Sequence, residues 1–463
     1  MEHKWRKLFG YYKPYRGLFW SDMFFAIMGA GVTLVIPLIV RYITNEVVYL
    51  PGNEPLYQIL KLGALMLGLV VLEFICNFYI AYQGHIMGAS IEHDMRNEIF
   101  SHYQKLSFTF FNNQKVGQLL SRVTTDLFDI SELLHHGPED LVISLIKFIG
   151  SFIILFSINR NLTLVAFGFV PVMIVYAFYF NTRMKKAFKE NRAKIADINS
   201  QIEDSLSGIR VVKSFANEDV EMNKFRRGNS RFVESKKKSY WYMGGYNSGL
   251  GALTTMVTIA VLAVGAVMIT NKTMEVADLI TFFLYINNFT EPVKKLINFT
   301  EQFQNGYAGY ERFLEILDVE PDIADAPDAV ELGEVKGDIE FRDVSFQYKD
   351  GNETVLSHIN LKVAAGDYLA VVGSSGGGKT TMCSLIPRFY DVAKGEILLD
   401  GRDIRSIQLK SLRDHIGIVQ QDVYLFAENI MENIRYGKPN ATDEEVVEAA
   451  KRANAHEFIE ALP

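Results

Sequence analysis

Six runs of predominantly apolar residues fall within the first 300 positions of this chain, at about 18–40, 60–82, 141–158, 162–180, 250–269 and 276–297. Each is close to the roughly 20 residues that a helix needs to cross the hydrocarbon of a bilayer. One such run is compatible with a buried helix of a soluble protein. Six are not, and they restrict the first part of the chain to an all-helical membrane bundle. The third and fourth runs are separated only by Asn159, Arg160 and Asn161, which reads as a helical hairpin. The remainder of the chain has the mixed pattern of a soluble α/β domain, so the overall 49% of hydrophobic residues averages two different regions.

Lys and Arg alternate between the links. Lys4, Arg6, Lys7, Lys13 and Arg16 precede the first run, and Arg183, Lys185, Lys186, Lys189, Arg192 and Lys194 follow the fourth, whereas the other side offers little beyond Arg41, Arg160 and Lys272. By the positive-inside rule both termini are expected in the cytoplasm of a multi-pass protein of the cell (plasma) membrane. The basic start is followed by an apolar run too long for a cleaved signal peptide. The two cytoplasmic links, each of roughly 60 residues, keep a helical period, as in Ile91, Met95 and Ile99 at successive i+4 steps. The membrane helices are therefore expected to continue well into the cytoplasm.

Glu73 and Lys147 lie inside expected spans, where ionisable groups are costly and often functional; lining a cavity and pairing within the bundle both remain open for them. Gly244, Gly245, Gly249, Gly251 and Ala252 read first as close helix packing. Cys76 and Cys383 have no ligand or disulfide spacing and read as small buried hydrophobes. With 47 basic and 54 acidic residues the net charge is −7, which gives no basic field for nucleic acid.

After an acidic linker starting at Glu320 the pattern changes to short β-type segments. Residues 368–372 (YLAVV) form a short apolar run of buried-strand character, followed by Gly373, Ser374, Ser375, Gly376, Gly377, Gly378, Lys379, Thr380 and Thr381, then by a helical pattern. This is the G-x-x-x-x-G-K-[ST] phosphate loop in its strand, loop, helix setting. Its glycines let the backbone curl so that successive N–H groups converge on phosphate oxygens. Lys379 is expected to reach the β and γ phosphates of a nucleotide, and the Thr380 hydroxyl to bind Mg²⁺.

Six spans followed on one chain by this loop resemble a half-transporter of the ATP-binding cassette (ABC) exporter family, the multidrug and lipid exporter type. The resemblance covers essentially the whole chain. Residues 106–130 (LSFTFFNNQKVGQLLSRVTTDLFDI) and 207–225 (SGIRVVKSFANEDVEMNKF) are similar to the family's two intracellular coupling regions, 308–323 to the helix and linker leading into the nucleotide-binding domain, and 384–404 to the stretch beyond the loop. The fold implied is an all-α six-helix transmembrane domain with long cytoplasmic extensions (1–319), a linker (320–336) and the first part of an α/β phosphate-loop nucleotide-binding domain (337–463). Tyr348 matches the family's aromatic residue that stacks on adenine. Gln421, ahead of Asp422, matches the glutamine implied to touch Mg²⁺ and the attacking water; alone, a Gln pair predicts nothing.

The resemblance further implies ATP and Mg²⁺ as ligands, a second half-transporter as homo- or heterodimeric partner, the lipid bilayer, and a hydrophobic or amphiphilic substrate such as a drug, lipid or peptide. It also implies that the chain stops at Pro463 short of the LSGGQ signature, the catalytic Glu and the switch His, with His456 too early to be that His. The chain thus reads as a fragment of a longer exporter, not expected to complete the hydrolysis cycle alone. An importer is disfavoured because importers of this class usually carry membrane and ATPase parts on separate chains, and leader-cleaving peptide export because no Cys/His protease segment precedes the first run. The reading from another class is a nucleotide-gated membrane regulator or channel that senses ATP without consuming it.

Overall fold

The computed structural model describes residues 2–348, 351, 353–421 and 423–462. The chain divides into two units, one of Met1–Leu106 with Phe110–Pro321 and one of Ser107–Thr109 with Asp322–Pro463.

The first unit is helical: α1 (Glu2–Gly10), α2 (Arg16–Asn45), α3 (Glu54–Tyr79), a π-helical turn (Ile80–Gly84), α4 (His85–Tyr103), α5 (Phe108–Asn112, whose first two residues cluster with the second unit), α6 (Val116–Val123), α7 (Thr125–Ile158), α8 (Arg160–Ser207), α9 (Ile209–Ser214), α10 (Glu218–Thr270) and α11 (Val276–Leu317). Helices α8 and α10 hold 48 and 53 residues without interruption. At 1.5 Å per residue they measure about 72 and 80 Å, more than twice the thickness of the hydrocarbon. The α7–α8 hairpin turns on one residue: Asn159 leaves helical geometry (φ −151°) and its side chain accepts the Leu162 N–H at 3.0 Å, capping α8.

Among the described residues, five helical stretches are long and apolar enough to cross a membrane: Arg16–Tyr49, Glu54–Tyr103, Val116–Ile158, Arg160–Ser207 and Glu218–Thr270. Their outward faces carry bare apolar side chains; Leu67, Val175 and Phe178 are 70%, 70% and 66% exposed, a surface suited to lipid as solvent. The sixth expected span, 276–297, does form the helix α11 but is not among those five, because Asp278, Asn287, Asn288 and Glu291 interrupt its apolar sequence. One face of the helix is enclosed by its neighbours, with Phe282, Tyr285 and Phe289 fully buried, while Asn287 and Glu291 lie on an exposed face. Polar groups of the enclosed face find partners there: Arg41 Nε donates to Asp278 Oδ1 at 2.6 Å, Asn288 Nδ2 donates to the Thr33 carbonyl at 3.1 Å, and the Tyr285 hydroxyl donates to the Leu34 carbonyl.

Two apolar clusters hold this unit together. In one, Leu162, Ala166, Val170, Met173 and Ala177 of α8 recur at i+3 and i+4 and meet Tyr246, Leu250, Val257 and Val261 of α10. In the other, Met87, Ile91, Met95 and Ile99 of α4 pack with Leu127, Ile130 and Leu134 of α7 and Tyr310 and Phe313 of α11. The glycines divide by environment. A Cβ on Gly245 or Gly249 would lie 2.4 Å from the Phe180 ring or 1.9 Å from the Tyr176 hydroxyl, whereas Gly244 and Gly251 face open space. Only the first two therefore serve close packing. Glu73 and Lys147 are half-buried on α3 and α7, and neither forms an ion pair among the described residues. Cys76 is buried as expected, but Cys383 is exposed.

The second unit contains an antiparallel sheet of β1 (Ile339–Phe346), β2 (Leu356–Val363), β3 (Lys394–Leu399) and β4 (Arg402–Asp403) in the order β2-β1-β3-β4. It also holds α12 (Lys379–Leu385), α13 (Leu409–Asp414), α14 (Ile430–Arg435), α15 (Asp443–Arg452) and α16 (His456–Glu460). The acidic stretch before β1 lies along this unit: Val330 forms a parallel bridge with Ile407, and Asp325 Oδ1 accepts the Leu409 N–H at 2.7 Å. The core joins Phe341, Val344 and Phe346 of β1 to Ile397 and Leu399 of β3 and Leu385 of α12. Thr381 and Leu385, one helical turn apart, are the inward positions of α12, which turns Cys383 to solvent and corrects its expected burial.

Helices α7 and α11 approach closely at Gly306, where a Cβ would sit 2.6 Å from Leu133 Cβ and 2.8 Å from the Asp129 carbonyl oxygen. Gly306→Ala is expected to lower stability by about 1–3 kcal/mol through overpacking, whereas Gly168→Ala, inside α8 with nothing within 4 Å, is expected not to lower it and to gain up to about 1 kcal/mol of helix propensity. Thermal unfolding of the detergent-solubilised variants checks this.

Candidate nucleotide site

Residues 373–378 form a loop that enters α12 at Lys379. Gly376 and Gly378 adopt left-handed backbone angles, φ +78° and +83°, which a side chain would strain. At Gly378 space is also missing: a Cβ would lie 2.7 Å from Leu356 Cδ2. The Gly377 N–H bonds the Ser374 carbonyl at 3.1 Å and closes the turn. Among the described residues no backbone acceptor takes the N–H of Ser375, Gly376, Gly378, Lys379 or Thr380. A row of uncommitted N–H donors at a glycine-rich turn is what an anion with several oxygens can use.

Lys379 folds back over the loop, its Nζ donating to the Gly373 carbonyl at 3.1 Å and the Ser374 carbonyl at 2.7 Å. Its charge thus sits at the start of the same loop. Ser374, Ser375 and Thr380 are exposed, and the Thr380 hydroxyl forms no hydrogen bond among the described residues. Thr381 is buried, and its Oγ1 lies 2.9 Å from the Tyr348 hydroxyl. That bond joins the end of β1 to the first turn of α12. The Tyr348 ring is edge-on to Phe346 (centroids 4.8 Å apart) and Tyr390 (5.3 Å), which fixes its plane.

One expectation beside the loop is revised. The buried strand over 368–372 is absent: this stretch joins no ladder among the described residues, and Tyr368 and Val372 are 104% and 89% exposed. A strand of that composition is buried only with neighbours on both edges, and nothing described pairs with it. Gln421 is exposed in a bend, and its side chain forms no hydrogen bond among the described residues, so it is not joined to Lys379 and Thr380; Asp422 lies outside the described residues. The Tyr348–Thr381 bond was not foreseen, since nothing in a lone tyrosine of a strand pattern names its partner 33 residues later.

A helical membrane unit and a phosphate-loop unit on one chain define an ATP-binding permease. The sequence matches the family model of the ABC transporter transmembrane region over residues 19–293 and that of the ABC transporter over residues 356–463. It is 40% identical over 459 residues to YwjA of Bacillus subtilis, an uncharacterized ABC transporter ATP-binding protein, covering 99% of this chain and 79% of that one. It is 32% identical to YgaD of the same organism (97% of this chain, 78% of the relative), provisionally named a multidrug export ATP-binding/permease protein. A Staphylococcus aureus protein with the same provisional name is 33% identical over 97% of this chain and 79% of its own length. The chain belongs to the ABC transporter family. It is a multi-pass membrane protein of the transport ATPase class, and its second unit is a nucleotide-binding one.

Gly378→Ala places a side chain in a left-handed conformation against Leu356. At about 1–2 kcal/mol for the backbone alone, this variant is expected to bind nucleotide at least about 10-fold more weakly. Titration with a fluorescent ATP analogue, with Gly373→Ala as the sterically open control, measures it.

Proposed function

We propose that this chain is a subunit of an ATP-driven exporter that moves a hydrophobic or amphiphilic compound out across the cell membrane. It works as a dimer of such chains or with a similar partner, with both termini in the cytoplasm. The observation that carries the reading is the phosphate loop, with its uncommitted N–H donors and Lys379 folded over them, on the same chain as five apolar membrane-length helices. The provisional names of the relatives from B. subtilis and S. aureus, which specify multidrug export, support the direction of transport and the substrate class. The working parts are a transmembrane domain over 1–319, a linker over 320–336 and a nucleotide-binding domain from 337 to 463.

In this reading ATP supplies the free energy that biases the membrane helices between two arrangements. The loop N–H groups of Ser375, Gly376, Gly378, Lys379 and Thr380 hold the phosphates, and the Lys379 ammonium exchanges the Gly373 and Ser374 carbonyls for the β and γ oxygens. The Thr380 hydroxyl is free to meet Mg²⁺, and Gln421 is the second group proposed for the metal and for orienting water. Tyr348, its plane held by Phe346 and Tyr390 and its hydroxyl by Thr381, offers a ring face to adenine. The two regions 106–130 and 207–225 carry nucleotide-driven motion to the helices.

A full-length exporter that contains this chain, reconstituted in inside-out vesicles, is expected to accumulate a fluorescent amphiphilic cation only with MgATP, and Lys379→Ala to abolish it. ATP-independent accumulation, or undiminished transport by the variant, overturns the exporter reading. Tyr348→Ala is expected to weaken ATP by about 5–100-fold, from the roughly 1–3 kcal/mol of a base stacked on an aromatic ring, with inorganic triphosphate binding nearly unchanged. Equal loss for both ligands removes adenine stacking from the assignment.

A further inference from the structure

Three imidazoles converge in the first unit, far along the sequence from the nucleotide loop. His85 opens α4 directly after the π-helical turn Ile80–Gly84, and His135 and His136 lie on α7. Ring centroids are 4.7 Å apart for His85 and His135, 5.1 Å for His85 and His136, and 4.2 Å for His135 and His136. One nitrogen from each ring lies within 4.8 Å of the other two.

The chemistry of His135 is the informative part. It is 2% exposed, and its Nδ1 lies 2.7 Å from the Ser131 carbonyl, which can only accept. The proton therefore sits on Nδ1, and Nε2 carries the lone pair. That Nε2 is buried with no hydrogen-bond partner; its near acidic neighbour, Glu132 Oε1, stands at 3.8 Å. A carbonyl fixing one nitrogen while the other points at an open lone-pair position is the arrangement of a metal-ligating histidine. The backbone is cut to fit it: a Cβ on Gly88 would lie 2.7 Å from His135 Nδ1.

The surroundings are anionic. His136 Nε2 is 3.7 Å from Glu132 Oε2, and its Nδ1 is 3.8 Å from Glu139 Oε2. Asp22 of α2 is 1% exposed, close against Gly84, with both carboxylate oxygens buried and without a partner. The neighbouring cation, Lys295, is already committed to Asp140 at 2.8 Å. Buried carboxylates and an orphaned imidazole lone pair are costly unless a cation answers them.

We propose that His85, His135 and His136 bind one divalent metal ion of the zinc class, with a carboxylate of Glu132 or Glu139 or a water completing four-coordination. Nitrogen ligands select this class over Mg²⁺ and Ca²⁺, which take oxygen. Tetrahedral Zn–N bonds of about 2.0–2.1 Å set the nitrogens about 3.4 Å apart, against up to 4.8 Å in the empty cluster, so the ion has to draw His85 and His136 toward His135. Because the ligands come from α4 and α7, the ion clamps those two helices beside the π-helical turn, a feature common at functional sites. The site does not depend on what the protein transports.

The test is metal titration of the chelator-stripped, detergent-purified full chain. Zn²⁺ is expected to bind at one equivalent per chain and to raise the unfolding temperature, and Co²⁺ to give the visible absorption of a four-coordinate nitrogen site. His135→Ala and, separately, the more exposed His85→Ala each weaken Zn²⁺ binding by at least about 100-fold and remove the thermal shift, whereas His93→Ala, a surface histidine of α4, changes neither. If His135→Ala fails to fold, His85→Ala decides alone. Failure of the stripped chain to bind Zn²⁺, equal affinity in the His85 and His93 variants, or displacement of Zn²⁺ by millimolar Mg²⁺ each overturns the assignment.

Discussion

Hydrocarbon offers no hydrogen-bond partner, and the first unit is organised around that fact. Each backbone N–H and C=O inside the bilayer has to be answered within its own helix, so no lipid-facing loop is allowed and the chain crosses as unbroken helices. The same condition removes the hydrophobic effect as the force between helices, because a lipid tail receives Phe74 or Val175 as readily as another helix does. What remains is close packing. Gly245 and Gly249 of α10 lie under the rings of Phe180 and Tyr176, and Gly306 of α11 lies against Leu133; each removes a side chain so that two helices approach.

Polar groups can then be carried into the unit, provided they meet each other there. Asp126, almost fully buried at the start of α7, receives two hydrogen bonds from the Arg312 guanidinium of α11, at 2.8 and 2.6 Å. Arg41 and Asp278 do the same for α2 and α11. Such pairs add little net stability, but removing one partner leaves a buried charge alone, so they fix which helices lie side by side. Helix α11 is the clearest result: a helix with one face packed on protein can carry Asp278 and Asn288 there, because Arg41 and the Thr33 carbonyl answer them.

This is also where the sequence could be read and where it could not. The apolar runs were legible because lipid contact is recorded residue by residue in each helix, and Ile91, Met95 and Ile99 were legible because their spacing alone puts them on one face. The sixth run was placed correctly as a helix but its apolarity was overrated, since the partners that admit Asp278 and Asn288 are more than 230 positions away in sequence. Residues 368–372 and Cys383 failed for a related reason. Burial of a short apolar strand or of a small thiol depends on neighbours that neither residue specifies.

The phosphate loop and the histidine cluster show the same division in chemistry. Nine consecutive residues carry the loop: glycines that reach left-handed angles, a turn closed by Gly377 and Ser374, and a lysine long enough to fold over its own donors. Its chemistry is local, so a motif describes it. His85 lies 50 positions before His135, on another helix, and Asp22 on a third; no spacing links them. Their convergence rests instead on the π-helical turn ahead of His85, on the missing side chain at Gly88, and on the Ser131 carbonyl that sets the His135 tautomer. A site built from helices assembles only after the bundle has packed, so its sign is not a spacing but titratable side chains of different helices, His135 and Asp22, left without hydrogen-bond partners beside the same turn.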